Sequence, residues 1–157
     1  MKLGIISDTH GYMDDRILHH LEMCDLIWHA GDIGKLEVMQ KLDSIAPSNA
    51  VYGNIDGTEI RSHYPEIISE TIEGVKLSMI HIAGAIERYN TKTRELVLHQ
   101  KPDVLICGHS HILKVKRDTR FNLLHINPGA AGNHGFHKVR TLLRLDIEQG
   151  QLKNLEA

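Results

Sequence analysis

Apolar residues come in short unbroken runs at the front of this chain and alternate with polar ones toward its end. Residues 2–7 (KLGIIS), 25–32 (DLIWHAGD), 49–54 (NAVYGN) and 103–108 (DVLICG) are brief apolar stretches that end in turn residues. That pattern predicts strands buried on both faces. Residues 14–23 (DDRILHHLEM) place apolar side chains at 17, 18, 21 and 23 behind two acids. This predicts an amphipathic helix with Asp14 or Asp15 near its N-terminus, where the helix dipole favours negative charge. Residues 35–45 (KLEVMQKLDSI) predict a second helix, stopped before Pro47 because the residue ahead of a proline is pushed out of helical backbone. Residues 90–102 predict another helix, ended by Lys101-Pro102. The remaining segments alternate. Residues 66–81 around Glu73-Gly74, 113–127, and 139–157 around Gln149-Gly150 predict hairpins.

A strand–helix–strand–helix–strand front implies a parallel α/β sheet, and the hairpins behind it add antiparallel strands. Two facing sheets with helices outside would bury both patterns. No repeat, linker or low-complexity tract divides residues 1–157, so one domain is expected.

Ligands of open α/β sheets bind beyond the carboxyl ends of the strands. The polar residues that follow each apolar run are therefore informative. Asp8 and His10 follow the first, Asp32 the second and Asn54 the third. His81 follows the KLSMI run, and His109 and His111 follow DVLIC. Each group alone reads as turn chemistry, but seven oxygen and nitrogen donors at successive strand ends do not. His109 and His111 sit at alternate positions, which aims both rings to one side of an extended segment. Seven donors exceed the needs of one tetrahedral zinc. With one bridging carboxylate they suit two cations about 3.5–4 Å apart. Mixed imidazole, carboxylate and amide ligands fit manganese, iron, zinc or nickel better than calcium or copper(I).

Composition adds exclusions. The formal charge of -2, with no block of like charges, argues against a nucleic-acid partner, which usually meets a basic face. Lys114, Lys116, Arg117 and Arg120 are the only basic cluster, and alternating charges on a hairpin read as a solvated face. Two cysteines without CxxC spacing, no 18-residue apolar run and no signal-peptide core point to a cytoplasmic protein with reduced thiols. Twelve histidines against two phenylalanines and one tryptophan are a compositional hint of metal.

Taken in order, Asp8-Thr9-His10, Gly31-Asp32, Gly53-Asn54, His81 and Gly108-His109-Ser110-His111 resemble the calcineurin-like metallophosphoesterases. The short length and the Asn127-Pro128-Gly129-Ala130 segment resemble their compact bacterial and archaeal phosphodiesterase subfamily. The resemblance implies a four-layer α/β/β/α sandwich with a di-metal centre at one edge. It implies that Asp8, His10 and His111 hold one metal, that Asn54, His81 and His109 hold the other, and that Asp32 bridges them. It also implies direct in-line attack on a small phosphoester by a hydroxide that the two metals generate, with Asn54 able to touch substrate, and a dimer or tetramer.

Two departures stand out. The family often follows Gly-Asn with a histidine that aids the leaving group, where this chain has Ile55 ahead of Asp56. General-acid help is worth 10²–10⁴-fold in typical enzymes, so esters with activated leaving groups are the expected substrates and the general acid is unassigned. The family also often has glycine after the histidine at 81, where this chain has Ile82. His134 and His137, in a glycine-rich loop, are candidates to reach substrate. His29 is a candidate to hydrogen-bond behind Asp32. The rival reading is a catalytically weak interaction scaffold on the same fold, of the kind represented by the retromer scaffold subunit.

Overall fold

The computed structural model describes residues 1–157. Buried runs at the front form β1 (Lys2–Ile6), β2 (Leu26–His29) and β3 (Ser48–Ala50), interleaved with α1 (Asp15–Leu21) and α2 (Leu36–Asp43). A short α3 (Thr58–His63) leads into the hairpin β4 (Ile67–Ile72) and β5 (Val75–Ile80). A two-residue hairpin, β6 (Gly84–Ala85) and β7 (Arg88–Tyr89), precedes α4 (Thr91–Gln100). Then come β8 (Val104–Ile106), the hairpin β9 (Leu113–Asp118) and β10 (Leu123–Pro128), and the hairpin β11 (Leu143–Glu148) and β12 (Gln151–Glu156).

These strands make two mixed five-stranded sheets, in the orders β12-β11-β1-β2-β3 and β4-β5-β8-β10-β9. β1, β2 and β3 run parallel, as do β5, β8 and β10. The hairpin strands β4, β9, β11 and β12 pair antiparallel and occupy the flanks. The sheets face each other across one apolar core. Leu3, Ile5, Trp28 and Leu145 of the first sheet meet Leu77, Met79, Ile106 and Ile126 of the second. The outer face of the first sheet is covered by α1, α2 and α3 through Ile17, Leu21, Val38, Met39, Leu42 and Ile60. The outer face of the second is covered by α4 and the β6–β7 hairpin through Leu96, Val97, Ala83 and Tyr89. The result is an α/β/β/α sandwich.

Local chemistry explains the boundaries. Asp14 is the N-cap of α1, its Oδ1 accepting the Ile17 N–H at 3.0 Å. Asn90 caps α4 in the same way through the Thr93 N–H. Lys101 ends α4 in left-handed backbone immediately before Pro102. The third strand is shorter than its apolar run: regular pairing ends at Ala50, the Val51 N–H still donates to the His29 carbonyl, and the turn begins at Asn54. Two elements were not foreseen. α3 has six residues and buries only Ile60, too little to show a helical period. The β6–β7 hairpin has two residues per strand, too few to show alternation.

Candidate metal centre

The carboxyl ends of β1, β2, β5 and β8 and the turn after β3 converge at one rim of the sandwich. All seven strand-end donors lie there. Asp8, His10 and His111 form one cluster and Asp32, His81 and His109 a second, with the ligand atoms of each within 4.8 Å of one another. The Asn54 side-chain oxygen joins the second cluster, 3.1 Å from both His81 Nε2 and His109 Nδ1. Asp32 lies between the two. Its Oδ1 is 3.3 Å from His81 Nε2 and its Oδ2 is 3.5 Å from His10 Nε2.

The donor atoms face a common space. Asp8 Oδ2 is tied down by the Ser7 hydroxyl at 2.6 Å and the His109 N–H at 3.0 Å. Asp8 Oδ1 is buried with no hydrogen-bond partner, although His111 Nε2 stands 3.1 Å away and two further imidazoles face it. His10 Nε2 is likewise buried without a partner. Buried polar atoms are nearly always satisfied, so two orphans side by side among nitrogen and oxygen donors fit a cation pair. His81 fits too. Its Nδ1 donates to the Ala30 carbonyl at 2.6 Å, so in the neutral ring it is Nε2 that carries the lone pair facing the clusters.

Electrostatics follow the same geometry. Burial raises the Asp32 carboxyl, but the hydrogen bond and charge of His81 outweigh it and hold the group below its ordinary value. Burial lowers His81, but Asp32 and Asp8 outweigh it and raise the ring above its ordinary value. Burial dominates at His10 and lowers it despite both aspartates.

Backbone strain marks the same residues. Asp8, His10, Asp32, His109 and His111 have φ of 54°, 48°, 55°, 69° and 60°. Left-handed backbone at five of seven donors is far from random, and such strain clusters at functional sites. Two glycines make the close approach possible. A Cβ on Gly53 would lie 2.0 Å from Asp32 Oδ1, and one on Gly108 would lie 2.1 Å from Ser7 Oγ.

Residues 1–150 match the calcineurin-like phosphoesterase superfamily domain. The chain belongs to that superfamily. A probable metallophosphoesterase of Methanocaldococcus jannaschii is 32% identical over 136 residues, covering 83% of this chain and 68% of the relative. An archaeal phosphodiesterase structure superposes with a TM-score of 0.73 at 24% identity, covering 98% of each chain. Zinc-complexed Vps29 from Entamoeba histolytica superposes with a TM-score of 0.78 at 21% identity, covering 97% of this chain and 89% of that one.

Around these donors the chain builds supporting contacts, of which the sequence pointed only to His29. Asp56, left without a role in the sequence, is buried. It accepts the Ile33, Gly34 and Gly53 N–H groups at 3.1, 2.8 and 2.8 Å, locking the Asp32 and Asn54 turns together. Arg61 of α3 stacks on Tyr52 and donates to the Asp56, Gly53 and Asn54 carbonyls. Asn127 donates to the Gly108 carbonyl and Ser110 hydroxyl and so holds the Gly108–His111 turn. His29 is fully buried behind Asp32. Its Nδ1 accepts the Gly31 N–H, its Nε2 meets Thr9 Oγ1, and burial pushes its pKa down to about 3.

Ile55 is half exposed at the rim, and its N–H donates to Asp32 Oδ1. His134 is exposed, its ring centred 4.7 Å from that of His10. His137 is partly buried and has both nitrogens engaged, one with His111 and one with the Gly132 carbonyl. Two clefts of about 330 and 310 Å³ flank the site. One runs past Asn54 and His81 to Tyr52, Arg61 and Lys92, the other past His109 to Ile86, Ile112 and Lys114, and Ile82 borders both. Three of the four basic residues on β9 and the turn after it are engaged. Lys116 pairs with Glu87, Arg120 with Asp118, and Arg117 donates to Asn122. No helix is long and apolar enough to cross a membrane.

Proposed function

We propose that this protein is a metal-dependent phosphodiesterase acting on a small phosphoester, with two divalent ions, manganese foremost, held by Asp8, His10 and His111 and by Asn54, His81 and His109, with Asp32 shared. The observation that carries this reading is the pair of orphaned atoms, Asp8 Oδ1 and His10 Nε2, beside a carboxylate that spans two ligand clusters. When bound, such a pair supplies a water acidic enough to act as nucleophile near neutral pH and neutralises charge on the phosphoryl group.

The chain's own residues do the rest. Asp32 sets the spacing of the two clusters. Asn54, exposed at the rim, can orient a phosphoryl oxygen as well as bind metal. The clefts on either side of Ile82 match the two ester arms of a diester, which a monoester would leave half unused. His134, free of hydrogen bonds at the rim, is the substrate contact supplied by the glycine-rich loop. Ile55 cannot give a proton, so the leaving oxygen takes its proton from solvent. Rates on aryl diesters therefore fall steeply as the leaving-group pKa rises.

The test is turnover by manganese-loaded protein of a series of aryl phosphodiesters and matching monoesters. Diesters should be preferred and the leaving-group series should be steep. A flat series would contradict the unaided departure at Ile55. Stoichiometric metal without hydrolysis of any diester would favour the scaffold reading, which the exposed apolar side chains of Phe136, Val139 and Ile112 support.

A further inference from the structure

The glycine-rich loop after Asn127 reaches back to one ligand cluster only. His137 Nε2 lies 2.8 Å from the Gly132 carbonyl oxygen. A carbonyl can only accept, so this nitrogen carries the ring proton, and neutral His137 offers a lone pair at Nδ1. That lone pair is 3.3 Å from His111 Nδ1, which must therefore donate. His111 is then left with its lone pair on Nε2, the nitrogen 3.1 Å from Asp8 Oδ1 in the first cluster. The two rings meet edge-on, with planes at 75° and centres 5.2 Å apart. Gly135 closes over the bond. Its φ is +126°, and a Cβ there would lie 2.4 Å from His111 Nδ1 and 3.1 Å from His137 Nδ1. The loop is shaped to deliver one imidazole to another.

We infer that His137 is a positioning residue for the first metal: it holds His111 in the Nδ1–H tautomer and fixes its ring, so that Nε2 is the ligand atom. The inference rests on the metal-centre reading above. The second cluster is independent of the loop, since His81 is fixed by the Ala30 carbonyl and His109 faces Asn54. Loss of His137 should therefore divide the two metals. Partners of this kind are worth about 10–100-fold in metal affinity.

The experiment is calorimetric titration of metal-free full-length protein with manganese, alongside long-range ¹H–¹⁵N NMR of its histidines. Wild type should bind two ions and show the Nδ1–H tautomer at His111. His137→Ala should weaken one event about 10–100-fold, leave the other unchanged and shift His111 toward Nε2–H. His137→Asn, whose Oδ1 can stand where Nδ1 stood, should restore both the affinity and the tautomer. Gly135→Ala, which wedges the rings apart, should repeat the alanine phenotype. Wild-type affinity for both ions in His137→Ala, or Nε2–H at His111 in wild type, would overturn the inference. Wild-type protein that binds no metal yet shows the Nδ1–H tautomer would instead overturn the metal-centre reading while upholding the contact.

Discussion

His109 and four other donors adopt backbone that costs an ordinary residue roughly 1–2 kcal/mol relative to right-handed conformations. That cost is visible in the metal-free protein. His109→Gly should be about 1 kcal/mol more stable to urea than His109→Ala, although both lose the ligand. Equal midpoints would show that the conformation carries no strain. Two buried imidazoles add a pH dependence. Burial, followed by nearby charge, pushes His29 to about 3 and His125 to about 4, while both titrate near 6.5 in the unfolded chain. Between those values the unfolded state binds more protons than the folded one, so stability is fully present above pH 6.5 and is lost as pH falls. Each group contributes a slope of up to about 1.4 kcal/mol per pH unit. Unfolding free energy measured at pH 7, 6 and 5 should decline, and the decline should be shallower in His125→Gln. An identical slope in that variant would contradict the assignment. The donors themselves were legible in sequence because each follows an apolar run at a turn. His137 was marked only as a candidate to reach substrate; its contact with His111 was not legible, because that partner lies 26 positions away and nothing local marks the pairing.

At the scale of elements, the turns carry the site and the strands aim it. Asp56 staples two turns from different strands through three buried N–H groups. Asp56→Ala leaves those donors unsatisfied, at about 1–3 kcal/mol for each such group, and should lower stability by about 3 kcal/mol. It should also weaken metal binding at Asp32 and Asn54. A loss below about 1 kcal/mol in a denaturant titration would show that water replaces the carboxylate without cost. Strands and long helices were readable because periods of two and of about 3.6 residues need only a few turns of chain to show. α3 and β6–β7 were not readable, since six residues with one buried apolar side chain, and two residues per strand, are too few to repeat a period. Both matter to the site: α3 supplies Arg61, which braces the Asn54 turn, and residues beside β6 form a wall of the cleft past His109.

For the whole molecule, the four-layer architecture follows from one accounting. Strands apolar on both faces need cover on both sides, and the facing sheet supplies one cover and the helices the other. Stacking places the carboxyl ends of parallel strands from both sheets at one rim, where donors distant in sequence become neighbours. Sequence pattern could give the layers and the donor order, but only the packed sandwich shows Asp32 between two clusters and a cleft on each side. The proposed ion pair is shared through that carboxylate. Its most direct test is elemental analysis joined to calorimetry on wild type and Asp32→Ala. Wild type should hold two tightly bound divalent ions per chain, and Asp32→Ala should lose tight binding at both positions. One ion per chain in wild type, or two ions held unchanged without Asp32, would rule out a shared pair.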